Sequence, residues 1–267
     1  MKEIIAANPE LVHECTEGGD SVVHLAVDSG DEDILSLILA TGAEVDTLGE
    51  HGWTPLYSAC IGYANLCPLL LEAGADINGR NGFVPLHAAA MFQGPITVEN
   101  LLQRGADIDA IDKDGYTALH AAYDDSNPRP ARHLWDRGAR RDVFGAAALG
   151  EMSFLRTALE ADPEMVEVTD GLGRTPLHWA CRGGQTDVTR FLLDLGCPVN
   201  ARKGPEIAYQ GVTALHLAAR WSELTTLKML IQAGARLDAR DSLGRRPHDI
   251  ANQMSRDGET IAVLLLS

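Results

Sequence analysis

The sequence predicts an all-α solenoid in which a pair of short helices is repeated about eight times along the chain. A six-residue motif close to Thr-Pro-Leu-His-x-Ala recurs at intervals near 33 residues. A Leu-rich stretch that ends in glycine and a small residue follows each motif after about twenty residues. Apolar residues make up 45% of the 267 residues and aromatic residues only 5%, a composition that suits short, closely packed helices.

The motif occurs in six well-preserved copies and one degraded copy. They begin at Ser21, Thr54, Val84, Thr117, Thr175 and Thr213, with the degraded copy at Arg246. Successive starts lie 33, 30, 33, 58, 38 and 33 residues apart, so the gap of 58 residues holds one extra, divergent copy. The glycine and small residue that end the Leu-rich stretches are Gly42-Ala43, Gly74-Ala75, Gly105-Ala106, Gly138-Ala139, Gly196-Cys197 and Gly234-Ala235.

Each motif predicts the start of a first helix, and the Leu-rich stretch predicts a second. Thr54 and Thr175 suit N-caps, because a hydroxyl oxygen can accept a bond from an orphan backbone N–H. Pro55 follows at the first helical position, where a missing N–H costs nothing. Residues 69–71 carry a bulky Leu stripe, and Gly74 ends that helix because glycine adopts left-handed conformations without strain.

These motifs and their spacing resemble the ankyrin-repeat family over almost the whole chain. The resemblance implies an all-α ankyrin-repeat solenoid of about eight repeats, with antiparallel helix pairs joined by β-hairpin-like loops. It also implies a structural role for the repeated histidine, which bonds neighbouring backbone in the family. One repeat is roughly 10 Å thick, too far for shared metal ligands at about 2 Å. The histidines are His24, His87, His120, His178 and His216, and Tyr57 replaces the histidine of its repeat.

The repeats predict a single ankyrin-repeat domain over residues 1–267 with internal breaks. We expect an N-terminal subarray at 1–141, a divergent junction repeat at 142–170 and a C-terminal subarray with a terminal cap at 171–267. Within the junction, helices are predicted at 144–150 and 152–159. Two segments depart from the repeat pattern, residues 124–130 and the insertion at 203–211. Each is interpreted either as a binding element or as a neutral loop extension.

The charge distribution limits the possible partners. The formal net charge is −16, and residues 1–79 hold 14 acidic residues and one basic residue. Such a chain repels phosphates, so we expect no nucleic-acid binding. The acidic third would steer a basic partner, or it serves only as a solubilising face.

The cysteines indicate the compartment. Five cysteines without any C-x-x-C pair predict a reducing, intracellular setting, in which they act as small buried apolar residues. No transmembrane or signal segment is apparent, so we expect a location in the cytoplasm, with the nucleus as the alternative, and no membrane contact. We also expect the protein to be a monomer.

No catalytic, nucleotide-binding or zinc signature occurs, so we expect no enzyme, no catalytic residue, no cofactor and no metal. The family resemblance implies a protein–protein interaction scaffold whose partner, here a basic extended segment, lies in the concave groove. Residues just before each cap and at the end of each first helix point into that groove. The predicted partner-binding residues are Trp53, Phe83, Met91, Phe92, Tyr116, Tyr123, Asp124, Asp125, Arg174, Trp179, Arg182, Arg220 and Trp221.

Two alternatives remain open on the sequence. The aromatic residues Trp53, Phe83 and Tyr116 could merely shield the hairpin bases. The groove could instead hold an aromatic-lined pocket of an enzyme or a small-molecule binder, with acid and base groups near His51, Asp124 and Asp125. His133 also lies off the repeated histidine position and is a further candidate for such chemistry.

Overall fold

The structure is a computed structural model that describes residues 14–124, 128–202, 211–221 and 224–254, with the backbone alone at 124, 128, 221 and 252–254. In these ranges the chain is helical, and its only β pairing consists of isolated bridges in the loops. It divides into two compact units, Met1–Arg140 and Arg141–Ser267. The predicted all-α repeat fold is confirmed, whereas the assignment of two subarrays and a junction repeat stays a prediction.

The described helices of the first unit alternate between the first and the second helix of each repeat. They are α1 (Val22–Asp28), α2 (Glu32–Leu39), α3 (Pro55–Gly62), α4 (Cys67–Glu72), α5 (Pro85–Phe92), α6 (Pro95–Gln103), α7 (Ala118–Asp124) and α8 (Pro128–Asp136). A 3-10 turn at Ala64–Leu66 joins α3 to α4. First helices pack on first helices, α1 on α3, α3 on α5 and α5 on α7, while second helices pack on second helices.

The second unit follows the same plan. Its described helices are α9 (Val143–Leu149), α10 (Met152–Ala161), α11 (Pro176–Arg182), α12 (Thr186–Asp194), α13 (Ala214–Trp221), α14 (Leu224–Gln232) and α15 (Pro247–Met254). The helices α9 and α10 confirm the pair predicted at 144–150 and 152–159. Asp142 caps α9 because its carboxylate accepts the Gly145 N–H at 2.7 Å. Most of the predicted insertion, residues 203–210, lies outside the described residues.

Residue size explains how the repeats stack. The first helices bury small residues, such as Ala88, Ala89 and Ala90 of α5, so the next repeat can approach closely. The second helices bury bulkier residues, such as Leu35 and Leu70. The six glycines predicted to end second helices all have positive φ, between 79° and 94°, a region that costs other residues energy. They are Gly42, Gly74, Gly105, Gly138, Gly196 and Gly234.

The repeated histidine links each repeat to the next one. His178 Nε2 lies 3.2 Å from the Val212 carbonyl oxygen of the following repeat. A carbonyl can only accept, so Nε2 carries the proton and donates, and Nδ1 is left as an acceptor. Nδ1 accepts from the backbone N–H of Thr175 at 3.2 Å and lies 2.8 Å from its hydroxyl. His24 and His216 repeat this pattern, which confirms their structural role.

The repeat that begins at Val84 breaks this pattern. His87 Nε2 still donates to the Tyr116 carbonyl at 2.7 Å. Its Nδ1 atom, however, is buried and has no hydrogen-bond partner, because Val84 supplies no hydroxyl. A buried polar atom without a partner lowers stability, so this repeat carries a local defect.

We expect Val84→Thr to raise the free energy of unfolding by about 1 kcal/mol, because the new hydroxyl can donate to His87 Nδ1 and cap α5. Urea unfolding followed by far-UV circular dichroism measures the change. The matched reverse variant, Thr175→Val, removes the same hydroxyl beside His178 and should lower stability by about the same amount. Equal stabilities for wild type and Val84→Thr would contradict this reading of the His87 site.

Stability should also depend on the protonation of the buried histidines. Burial lowers the pKa of His87 and His216 below the ordinary value of 6.5. The unfolded chain therefore binds more protons than the folded chain once the pH falls below about 6.5, and stability must drop over that interval. Urea midpoints should decrease between about pH 7.5 and about pH 5.5. His51→Gln, at an exposed position, should leave that slope unchanged.

Candidate interaction surface

A surface depression of about 290 Å³ lies between the first two described repeats. We call it the Trp53 depression. Its lining consists of Asp20, His24, Asp28, Gly49, His51, Trp53, Ser58, Ile61, Gly62 and Tyr63. The loop before α3 and the end of α3 supply most of these residues. A side chain at Gly49 would overlap the Asp20 carboxylate and the His24 ring, so the loop can approach α1 only because residue 49 is glycine.

Aromatic rings build one wall of the Trp53 depression and extend into the next repeat. The Trp53 ring lies 4.9 Å from the His51 ring and 5.3 Å from the Tyr57 ring, between centroids. Phe83 packs edge-on against both Trp53 and Tyr57, at 6.3 Å and 5.5 Å. Such tilted and edge-on geometries suit aromatic pairs. Burial raises the pKa of the Tyr57 hydroxyl, so this group stays neutral.

The Trp53 depression is acidic, and nothing in the described residues neutralises it. Asp20 accepts the Glu50 backbone N–H at 3.0 Å, and Asp28 is exposed without an ion pair in the described part of the chain. No Lys or Arg occurs between residues 3 and 79. The first cation after that interval, Arg80, bonds Asp46 at 3.2 Å. The surface therefore keeps its negative charge.

The structure places some of the predicted groove residues at the surface. Trp53, Phe83 and Tyr116 are half-buried, and so is Met91 at the end of α5. Phe92 is 48% exposed. Arg182 and Arg220 are half-buried in the second unit. Asp125 and the side chains of Asp124 and Trp221 lie outside the described residues.

Three of the predicted partner-binding residues are instead buried, and the assignment of partner-binding residues stays a prediction. Trp179 is 1% exposed, Arg174 4% and Tyr123 6%. Arg174 donates to the Asp170 carboxylate at 2.6 Å, and its guanidinium lies 4.0 Å from the Trp179 ring centroid. Trp179 Nε1 donates to the same carboxylate at 3.0 Å. This buried network stabilises the loop before α11 and offers almost no surface to a partner.

The residues that sequence reasoning missed are Asp20, Asp28, Tyr57 and Tyr63. Tyr57 occupies the repeated histidine position, and that departure was the available signal for its different role. Asp20 and Asp28 could not be singled out from the sequence, because acidic residues occur throughout residues 1–79. His51 does line the Trp53 depression, as expected for the small-molecule alternative, while His133 bonds Glu99 at 2.7 Å elsewhere.

Among the described residues, no group of three or more His, Cys, Asp or Glu side chains could hold a metal ion. Within the same ranges, no helix has the length and apolarity needed to cross a bilayer.

The fold and its repeated histidines define a helical repeat protein. A family model described as ankyrin repeats in three copies matches residues 1–81, 65–143 and 143–241. These matches cover most of the chain, which therefore belongs to the ankyrin-repeat family.

Several known proteins are similar to parts of the chain. Ankyrin repeat and SOCS box protein 5 of Mus musculus is 41% identical over 92 residues, covering 34% of this chain and 28% of that protein. The 26S proteasome non-ATPase regulatory subunit 10 of Homo sapiens is 43% identical over 58 residues, covering 22% of this chain and 26% of that protein. The matched segments thus span only about a quarter of these relatives.

One solved structure is similar over nearly the whole chain. It is the ankyrin repeat domain of Bcl-3, described as a unique member of the IkappaB protein family. It is 26% identical, with a TM-score of 0.48, and the match covers 91% of this chain and 98% of that one.

We expect Arg174→Ala to lower the free energy of unfolding by about 3 kcal/mol, because it leaves the Asp170 carboxylate buried without its cation. Urea unfolding of the full chain measures this loss. Arg190→Ala removes an exposed arginine from the same unit and should change stability by less than about 0.5 kcal/mol. If both variants behaved alike, the buried network would have no structural role.

Proposed function

We propose that the chain is a non-catalytic protein-interaction module whose first unit binds an extended, basic segment of a partner protein. The single observation that carries this proposal is the Trp53 depression, which combines an aromatic wall with carboxylates that no lysine or arginine on its described lining neutralises. Membership of the ankyrin-repeat family supports the general part of the proposal, because ankyrin repeats generally serve as protein-binding modules.

A cationic side chain matches this surface in both charge and shape. A guanidinium or ammonium group in the Trp53 depression would meet the Asp28 carboxylate, which makes no ion pair within the described ranges. The faces of Trp53 and Tyr63 would add cation–π attraction, which is strongest where water is excluded. The Asp20 carboxylate lies on the same lining and reinforces the negative potential.

The neighbouring repeats offer contacts for the rest of an extended segment. Phe83 continues the aromatic wall, and Tyr116 occupies the corresponding loop position one repeat further on. Met91 and Phe92 add apolar surface at the end of α5. Aromatic residues of this kind dominate the energetics of many interfaces. Asp124 and Asp125 are further proposed contacts in this unit. In the second unit, taken by itself, Arg182, Arg220 and Trp221 stay predicted partner contacts.

We also propose that the protein acts as a monomer in the cytoplasm or the nucleus. Its five thiols are all free, as a reducing compartment would keep them. The human relative named above is a subunit of the 26S proteasome, which supports the same setting. The net charge of −16 argues against nucleic acid as the partner.

We expect Asp28→Asn to weaken binding of arginine-containing extended peptides by about threefold to tenfold, because it removes the unpaired carboxylate of the Trp53 depression. Fluorescence anisotropy with labelled peptides at low and high salt measures this loss. Glutamine-substituted peptides serve as ligand controls. The loss should shrink at high salt, as expected for a partly exposed charge pair.

Two protein variants sharpen this experiment. Asp33→Asn removes the same charge from α2, away from the depression lining, and should change affinity by less than about twofold. Trp53→Ala/Tyr116→Ala should abolish binding while the helical content stays intact. Equal losses for Asp28→Asn and Asp33→Asn would refute the site. Binding of a small molecule from lysate without any peptide binding would favour the ligand-pocket alternative near His51.

A further inference from the structure

The five thiols of the chain, all of them described, differ sharply in their surroundings. Cys15 is exposed, because it lies in the loop before α1, which corrects the expectation that every cysteine is a buried apolar residue. Cys60, Cys67, Cys181 and Cys197 are buried. Cys60 and Cys67 are hydrogen-bonded to each other, with 3.6 Å between their sulfur atoms.

The local fold explains why these two sulfurs meet. Cys60 lies in the last turn of α3, and Cys67 is the first residue of α4. The 3-10 turn at Ala64–Leu66 reverses the chain between them, so both thiols face the interior of the same repeat. Forming a bond between them would close only a short loop within a single helix pair.

The two thiols are chemically unequal. The hydrogen bond from Cys60 lowers the pKa of Cys67, because the shared proton stabilises the Cys67 thiolate, and it raises the pKa of Cys60. Burial raises the pKa of Cys181 and of Cys197 to about 12. The thiolate is the reactive form of cysteine, so Cys67 is the favoured nucleophile among the buried thiols.

Cys67 also has an access route that suits a very small reagent. It lines a surface recess of about 20 Å³, together with Ala64, Pro68, Leu71, Thr97, Asn100, Leu101 and Arg104. A recess of that size holds about one water-sized molecule. Arg104 lies on the same lining and pairs with Glu72 at 3.8 Å. Hydrogen peroxide fits this recess, whereas a bulky disulfide reagent does not.

We propose that Cys60 and Cys67 form an oxidation site at which hydrogen peroxide converts the two thiols into a disulfide. The Cys67 thiolate attacks one peroxide oxygen, the O–O bond breaks, and hydroxide leaves as water after taking a proton. The Cys60 thiol, after losing its proton, attacks the sulfur of the resulting sulfenic acid and displaces a second hydroxide, which also leaves as water. Peroxide is thereby reduced to two water molecules, and the sulfurs approach from 3.6 Å to bonding distance, about 2.05 Å.

The test uses the full chain with Cys15→Ser, so that the exposed thiol cannot form intermolecular dimers. The reduced protein is treated with hydrogen peroxide, alkylated, and digested with chymotrypsin, which cleaves after Tyr63 and Leu66 between the two cysteines. Non-reducing mass spectrometry should find the Cys60 and Cys67 peptides linked, with the loss of two hydrogen atoms. Cys181 and Cys197 should react at least about tenfold more slowly, as their raised pKa values require.

Single variants separate the two roles. Cys60→Ser should accumulate a sulfenic acid at Cys67 that dimedone traps, whereas Cys67→Ser should leave Cys60 reduced. Cys181→Ser should form the disulfide at the wild-type rate. The proposal is overturned if Cys60 and Cys67 stay reduced at peroxide concentrations that oxidise Cys15 in the wild type. It is equally overturned if Cys60→Ser gives no dimedone adduct at Cys67.

Discussion

The hydrogen bond that the repeated histidine donates to the next repeat is the interaction on which the array depends. His24, His178 and His216 each join the cap of their own helix to a loop carbonyl of the following repeat. One side chain thus fixes both the start of a helix and the distance to its neighbour. Burial lowers the pKa of the His216 ring, and the neutral form is the one that can accept at Nδ1 and donate at Nε2.

The Trp53 depression lies next to an interruption of this arrangement, although the histidine contact at the depression itself, from His24 to the Trp53 carbonyl, is intact. Tyr57 stands in the repeated histidine position and lacks the ring nitrogens that bond the neighbouring loop. Its ring instead packs with Trp53 and Phe83, so aromatic contacts hold this pair of repeats together. Through Trp53, this aromatic cluster adjoins the Trp53 depression. The regular repeats are therefore joined by the histidine bond, and the repeat of Tyr57 is joined to the next one by ring packing.

The sequence predicts the fold well because every repeat encodes it in the same local chemistry. Caps, helix-ending glycines and small first-helix residues recur in register, and the structure confirms them. The candidate site was harder to predict. Trp53 and Trp179 both lie near a capping threonine, yet Trp179 is buried because Asp170 and Arg174 engage its ring and its N–H. Repeat position alone cannot separate these cases, since burial depends on partners that come from a loop.

The hydrogen-bonding defect at His87 and the aromatic cluster around Tyr57 lie in neighbouring repeats of one unit. In a linear array each repeat is stabilised mainly by the repeats on either side, so opening begins at the weakest interface rather than throughout the chain. A ligand that covers the Trp53–Phe83 wall would stabilise the interface at which aromatic packing replaces the histidine bond. Occupancy of that surface would then determine where the array bends and where it first opens. Ligand binding and local opening would thus depend on the same few aromatic rings.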